Sequence, residues 1–236
     1  RDLRMSRGLG DVYKRQPLNP APLVSVAIAC SGASRAAVRS TLEALGKQTY
    51  ANFEVCVVSE LAQAGLTDYE GIPKFRLVLF NGTAHEQLKA AEKMLNGAYF
   101  LQLLPGDLPA PDALHMLVLQ THANPEAEVV FADEDSVIDG IRQNPIFKPD
   151  YGRDTLRSFN SIGRPMLVSK RVHTAVGGFR GSTPAELWAY CIDCASVAKQ
   201  VIHIARIGLT VIRDCDGSEI PCTAVSYTHL RAHETC

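Results

Sequence analysis

From residue 22 onward, the sequence alternates between short β-rich runs and segments with helical periodicity, and this alternation constrains the fold more than any other feature. Strands are predicted at residues 23–29, 53–58, 75–80, 99–104 and 128–132. Helices are predicted at residues 34–46, around Leu88, Ala91 and Leu95, and from Pro111 onward. The alternation is typical of a single α/β domain in which helices flank a mostly parallel sheet.

The composition fits this class and argues against several others. The chain has 236 residues, of which 46% are hydrophobic and 21% charged, which is enough to bury a sizeable core. A net charge of -1 gives no reason to expect nucleic acid as a partner. The longest apolar runs are much shorter than the ~20 residues of a membrane-spanning helix. We therefore expect a protein without a membrane segment, in the cytoplasm or at the inner face of the membrane.

Seven cysteines raise the question of a disulfide framework or a zinc site. The chain is too long and too apolar to need disulfides, which favours a reducing compartment. Cys191 and Cys194 form a C-x-x-C pattern that Cys215 and Cys222 would have to complete, but the second spacing is wrong for a zinc ribbon. We expect structural cysteines.

The two ends differ in composition and periodicity from the rest of the chain. Residues 1–16 and 225–236 resemble translated sequencing-adapter read-through, so we exclude them from functional reasoning and assign the domain to residues 17–224. If the ends are instead genuine terminal segments, the interpretation of the domain does not change.

Several segments, in the right order, resemble the family-2 glycosyltransferases over about residues 22–212. They include PLVSVAIA, QTYANFEVCVVSE, GAYFLQLLPGDLPAPDAL and VIHIARIG. Two more, VVFADEDSVIDGIRQNPIFKPDY and FNSIGRPMLVSKRVHTAVGGF, are similar to a subgroup associated with bacterial surface-polysaccharide and O-antigen assembly. The resemblance implies a Rossmann-like domain of GT-A type. It also implies inverting transfer of a sugar from a UDP- or dTDP-sugar donor to a saccharide or lipid-linked saccharide acceptor.

Candidate donor-binding residues follow from the positions of the strand ends. Ligands bind at the carboxyl ends of strands in an open α/β sheet. The resulting nucleotide-sugar-binding candidates, with Lys148 added from the resemblance, are Ser31, Ser59, Glu60, Asp133, Glu134, Asp135 and Lys148. Two alternatives stay open: residues 133–135 as a solvated acidic turn, and Lys148 as a surface lysine.

The metal and base positions depart from the pattern of the family. Its D-x-D-D segment aligns with residues 104–107, where only Asp107 is acidic. We therefore expect Mg²⁺ or Mn²⁺ to be held weakly, mainly by the donor's phosphates, with a turn or helix-cap role as the alternative for Asp107. Glu186 is the nearest match to the acceptor base, one position off. Trp188 is either a sugar-stacking platform or core, and His203 is predicted to be structural.

Two other classes of function compete with an active transferase. The missing carboxylates suit a catalytically degenerate binding module or one half of a two-domain transferase. A dinucleotide-binding enzyme is disfavoured, because Gly32 alone follows the first strand where a G-x-G-x-x-G would be needed.

Overall fold

The computed structural model describes residues 21–60 and 72–213, which contain nine strands and six helices. The strands are β1 Val24–Ala29, β2 Phe53–Ser59, β3 Phe75–Leu79, β4 Tyr99–Leu103, β5 Asp107–Pro109, β6 Ala127–Ile138, β7 Ile141–Ile146, β8 Met166–Ser169 and β9 Gln200–Ile212. The helices are α1 Arg35–Gly46, α2 Ala84–Glu92, α3 Ala113–Ala123, α4 Arg153–Ser158, α5 Lys170–Ala175 and α6 Pro184–Val197. The predicted terminal segments, with Cys215 and Cys222, lie outside the described residues.

The strands form one sheet in the order β3-β2-β1-β4-β8-β6-β9-β5, with β7 paired to β6. The single α/β domain predicted from the sequence is confirmed. The sheet is mixed, however, because β8 is antiparallel to both β4 and β6, and β5 and β7 also pair antiparallel. The sequence did not reveal these strands, since β5 and β8 have three and four residues and β7 is exposed along its whole length.

The core lies in two apolar layers, one on each face of the sheet. Alternate residues of a strand point to opposite faces. In β1, Val26 and Ile28 therefore pack with Leu42 of α1, while Ala27 packs on the other side with Leu88 of α2. Both layers make contact with β1, which explains why this strand is apolar along nearly its whole length.

The start of α1 was predicted correctly, whereas α3, predicted to open at Pro111, begins at Ala113. Ser34 is the N-cap of α1, and its hydroxyl accepts a hydrogen bond from the Ala37 amide at 3.2 Å.

Cys191 and Cys194 both lie in α6 with buried side chains. Burial raises the pKa of the Cys191 thiol to about 12, so this thiol stays neutral in the core. No helix of the described ranges is long and apolar enough to cross a membrane.

One predicted boundary was wrong in a way that matters for the site. The sequence placed the end of β6 near Ala132, but the strand continues to Ile138. It continues because Asp139 and Gly140, with φ of 50° and 76°, form the tight turn of a hairpin with β7, while β9 pairs along its other side. Residues 133–135 therefore lie inside a strand and not in a turn.

Candidate functional site

The strand register aligns the ends of the central strands at one edge of the sheet. The parallel strands β1, β2 and β4 end at nearly the same level. Leu167 of β8 lies opposite both Leu101 of β4 and Val130 of β6, which continues that level across the antiparallel pairs. The predicted residues at this edge are Ser59, Asp107 and Asp133.

A smaller cavity of about 170 Å³ opens where β1 and β4 end. Ser31 and Asp107 are among its lining residues, together with the turn between β4 and β5. The Ser31 hydroxyl donates a hydrogen bond to Glu60 Oε1 at 3.2 Å, so Glu60, which does not line the cavity, contacts a residue that does. Ser59 is buried at the end of β2. The ends of β1 and β4 thus contribute polar groups to this cavity.

A larger cavity of about 530 Å³ lies on the side of β6 and α6. Glu134, Lys148 and Arg164 form its charged part. Its other lining residues are Ile146, Phe147, Pro149, Phe159, Asn160, Ser161, Gly163, Pro184, Ala185, Leu187 and Trp188. Phe147 is 74% exposed and Phe159 is 52% exposed, so apolar rings at the mouth of the cavity face solvent.

Asp107 and Arg164 form an ion pair between the two cavities. Arg164 Nε lies 3.0 Å from Asp107 Oδ2, and Nη2 donates to Oδ1 at 3.2 Å. The Leu104 amide also donates to Oδ2 at 2.8 Å, which closes the turn after β4. Asp107 is 1% exposed and belongs to β5, so it is not a helix cap but a turn residue that also lines the smaller cavity.

The residues present do not fit a resident divalent cation. Mg²⁺ and Mn²⁺ favour several hard oxygen ligands around one point. Residues 21–60 and 72–213 contain no group of three or more His, Cys, Asp or Glu side chains arranged to hold a metal. Both carboxylate oxygens of Asp107 already face the Arg164 guanidinium. A cation at this buried carboxylate would have to displace the guanidinium of Arg164.

Lys148 is buried and lies at the centre of the charged cluster. Its ammonium donates to the carbonyls of Ala132 at 2.8 Å and Arg164 at 2.6 Å, and lies 3.2 Å from Glu134 Oε2. Burial lowers the pKa of Lys148, although Glu134 opposes that change. The alternative of a surface lysine is therefore wrong. The hydrogen bond from the Lys148 ammonium to the Arg164 carbonyl holds the backbone in place at Arg164.

The three acids of β6 have different surroundings. Asp133 Oδ1 accepts from the Lys148 amide at 2.9 Å and lies 2.8 Å from Nε2 of His203. Asp135 is buried and paired with Arg142 at 2.8 Å. Only Glu134 reaches the larger cavity. A solvated acidic turn is therefore excluded, and Asp133 connects Lys148 to the ring of His203.

Glu186 is held in a capping box at the start of α6. Its carboxylate accepts from the Thr183 amide at 3.0 Å and the Thr183 hydroxyl at 2.7 Å, and Thr183 caps the Glu186 amide in return. These hydrogen bonds lower the pKa of Glu186. Neighbouring residues of α6 line the larger cavity, but Glu186 is not among its lining residues. Its role as acceptor base stays a prediction, and the cap weakens its basicity.

The sequence left two roles open for Trp188, a core residue or a surface for sugar stacking, and its position is compatible with both. Its indole nitrogen donates to the Leu156 carbonyl at 2.7 Å, and the ring packs against the core while also lining the larger cavity. Arg164, which pairs with Asp107 and lines the larger cavity, was not among the residues predicted from the sequence. It lies in the segment FNSIGRPMLVS, which belongs to the resemblance, and a charged residue directly before the apolar run PMLV is the sequence feature that could have drawn attention to it.

Comparison with known proteins supports this fold. No protein-family model matches the sequence. The chain is 30% identical over 212 residues to the uncharacterized protein y4gI of Sinorhizobium fredii, covering 84% of the chain and 23% of that protein. It is 27% identical over 172 residues to the O-antigen biosynthesis protein RfbC of Myxococcus xanthus, covering 69% of the chain and 14% of RfbC. The chain thus spans less than a quarter of either relative.

Two solved structures share the architecture. S. aureus TarS (residues 1–349) in complex with UDP-GlcNAc matches with a TM-score of 0.67 and 14% identity, covering 86% of this chain and 61% of that one. The mannosyltransferase PcManGT from Pyrobaculum calidifontis, in complex with GDP-Man and Mn²⁺, matches with a TM-score of 0.55 and 16% identity, covering 86% and 62%. At these identities the likeness establishes the GT-A-like fold.

Proposed function

We propose that this chain is the donor-binding domain of a glycosyltransferase that transfers a sugar from a UDP- or dTDP-sugar to a hydroxyl of a saccharide or lipid-linked saccharide. The observation that carries the proposal is the pair of adjoining cavities at the carboxyl edge of the sheet, separated by the Asp107–Arg164 ion pair. The relatives include an O-antigen biosynthesis protein, and the solved structures of this fold hold UDP-GlcNAc and GDP-Man. These support a role in bacterial surface-polysaccharide synthesis.

The proposed reaction places specific demands on the site. The bond between the anomeric carbon and the diphosphate breaks, and the nucleoside diphosphate leaves with the bonding electrons. The acceptor oxygen forms the new bond from the opposite face, which inverts the anomeric carbon. The hydroxyl proton passes to a base, for which Glu186 is the candidate from the sequence and Glu134 is the acid that lines the larger cavity.

The two cavities suit different parts of the reactants. We assign the nucleoside to the smaller cavity, where Ser31 offers a hydroxyl to a base or ribose and is itself oriented by its hydrogen bond to Glu60. The acceptor belongs to the larger cavity, where exposed Phe147 and Phe159 and the fixed ring of Trp188 offer apolar faces for a sugar ring. The sugar to be transferred then lies between them.

A second candidate is a binding module that does not turn over. It is favoured by two contacts: Asp107 is engaged by Arg164, and Glu186 is engaged by Thr183. A donor would bind in the same way in either case. A measurement of sugar transfer therefore distinguishes the two candidates, whereas a measurement of donor affinity does not.

The test combines donor binding with transfer. We expect UDP- or dTDP-sugars to bind the protein in calorimetric titrations, and Ala33→Phe, which fills the smaller cavity, to abolish that binding. Ala123→Phe, at the exposed end of α3 and away from both cavities, is the matched control and should bind normally. Release of the nucleoside diphosphate that depends on added acceptor then identifies an active transferase.

Each outcome has a distinct meaning. Binding without transfer favours the binding module. Equal binding by the wild type and Ala33→Phe removes the smaller cavity from the proposal. If no nucleotide sugar binds under any condition, the proposed function is wrong.

A further inference from the structure

We propose that the guanidinium of Arg164, held on Asp107, binds the diphosphate of the donor directly, so that donor binding does not require a divalent cation. This inference rests on the proposed function, because it specifies how the same site recognises its donor. It assigns a role to a residue outside the predicted set of site residues.

The position of Arg164 is the first argument. Asp107 lines the smaller cavity and Arg164 lines the larger one, so their ion pair is the boundary that the two cavities share. A donor with its nucleoside in the smaller cavity and its sugar toward the larger one carries its diphosphate across that boundary. The developing negative charge of the leaving group therefore falls beside the guanidinium.

The chemistry of the side chain is the second argument. Arginine stays protonated at all working pH values, and its planar fork of five N–H donors matches phosphate oxygens in pairs. The contact with Asp107, an ion pair at Nε and a hydrogen bond from Nη2, fixes the orientation of that fork. The Arg164 side chain is only 11% exposed, so water screens its charge less than at an open surface.

The rigidity of the segment is the third argument. The Arg164 carbonyl accepts a hydrogen bond from the buried Lys148 ammonium at 2.6 Å. The preceding Gly163 has a φ of 55°, and a Cβ there would lie 3.4 Å from both Lys148 Nζ and Glu134 Oε2. The backbone is thus held on one side by Lys148 while Asp107 holds the guanidinium. A charge fixed in advance needs little reorganisation when an anion binds.

The same contacts argue against a cation at this point. A cation on Asp107 would have to displace the guanidinium from a carboxylate that is 1% exposed, and breaking a pair on a buried carboxylate is costly. The side chain therefore occupies the position at which the family pattern expects the metal, and it carries a positive charge of its own.

The experiment measures binding of UDP and of uridine to the 236-residue protein by titration calorimetry, in Mn²⁺ and in EDTA. We expect the UDP affinity of the wild type to be the same within about twofold in both solutions. Arg164→Gln should weaken UDP binding by about ten- to a hundredfold, the usual contribution of charge-assisted hydrogen bonds. Uridine, which lacks phosphate, should bind the variant as it binds the wild type.

Two further variants sharpen the comparison. Arg171→Gln removes a guanidinium from its pair with Glu128 at the start of β6, far from both cavities, and should leave UDP binding unchanged. Arg164→Lys keeps the charge but loses the planar fork, so it should fall between wild type and Arg164→Gln. If Arg164→Gln does not fold, the ratio of UDP to uridine affinity in Arg164→Lys decides the question.

The outcomes separate this inference from the proposed function. UDP binding that rises tenfold or more with Mn²⁺ and is unaffected by Arg164→Gln overturns the inference and leaves the proposed function standing. Equal loss of UDP and uridine binding in Arg164→Gln shows a structural role and also overturns it. If neither UDP nor uridine binds the wild type, the proposed function fails, and this inference fails with it.

Discussion

Replacing Lys148 with methionine tests whether the buried ammonium organises the site. Methionine fills most of the space of the aliphatic stem but removes the charge that contacts the carbonyls of Ala132 and Arg164 and the carboxylate of Glu134. Breaking a buried ion pair by removing one partner costs about 3–5 kcal/mol. The Glu134 side chain is 15% exposed, so water can reach it, and we expect the lower end, about 3 kcal/mol.

The loss should be visible in thermal unfolding. For a domain of this size, 1 kcal/mol corresponds to about 2–4 °C, so Lys148→Met should lower the Tm by about 6–12 °C. The matched control is Lys199→Met, which removes an ammonium from an exposed pair with Glu126 at 3.2 Å. That change should alter the free energy of unfolding by no more than about 0.5 kcal/mol. Scanning calorimetry and urea unfolding measure both variants under the same conditions.

A double variant identifies the source of the loss. Lys148→Met with Glu134→Gln also removes the uncompensated carboxylate and should recover part of the stability lost in Lys148→Met alone. If Lys148→Met proves as stable as Lys199→Met, the reasoning is refuted, because the ammonium would then not hold the Arg164 segment in place.

Three other predictions address catalysis, packing and pH. Glu186→Gln should slow sugar transfer by about 10²-fold or more if Glu186 is the base. Glu134→Gln should have that effect if Glu134, which lines the larger cavity, is the base instead. Steady-state transfer rates at saturating donor decide between the two. Gly97→Ala should destabilise the protein by about 1–3 kcal/mol in urea unfolding, because a Cβ there would lie 2.5 Å from the Ser25 hydroxyl oxygen. Burial opposes ionisation of Glu54, but its hydrogen bonds from Ser25, the Asn96 amide and Arg76 lower its pKa below the ordinary 4.5. Its contribution to stability is therefore present above pH 4.5 and lost as pH falls through the folded pKa, so Glu54→Gln should flatten the dependence of Tm on pH between about 3 and 5.

The architecture was readable from the sequence because its signals are local. The strand predicted at residues 23–29 matches β1 within one residue, since a run buried on both faces is continuously apolar. The helix predicted at residues 34–46 matches α1 because Ser34 caps it and apolar side chains recur on one face. The pattern Thr183-x-x-Glu186 also marks a capping box that the sequence displays by itself, although the acid was interpreted as a base.

The site itself was only partly readable. Strand-end position selected Ser31 and Asp107, which line the smaller cavity, and Glu134, which lines the larger one, while Lys148 was added from the resemblance. It gave no indication that Lys148 is buried or that residues 133–135 continue a strand. Those facts depend on the hairpin at Asp139 and on pairing with β9, which bring together segments that no local spacing relates.

The sequence by itself determined the α/β class and the central strands. Only the tertiary structure determined which charged side chains pair with each other. Arg164 reaches Asp107 across 57 positions of sequence because β8 enters the sheet antiparallel between β4 and β6, and Lys148 meets the same segment from the end of the β6–β7 hairpin. Ion pairs between distant segments leave no periodic trace in a sequence, because they depend on strand register and burial, whereas caps and apolar stripes follow from residue spacing.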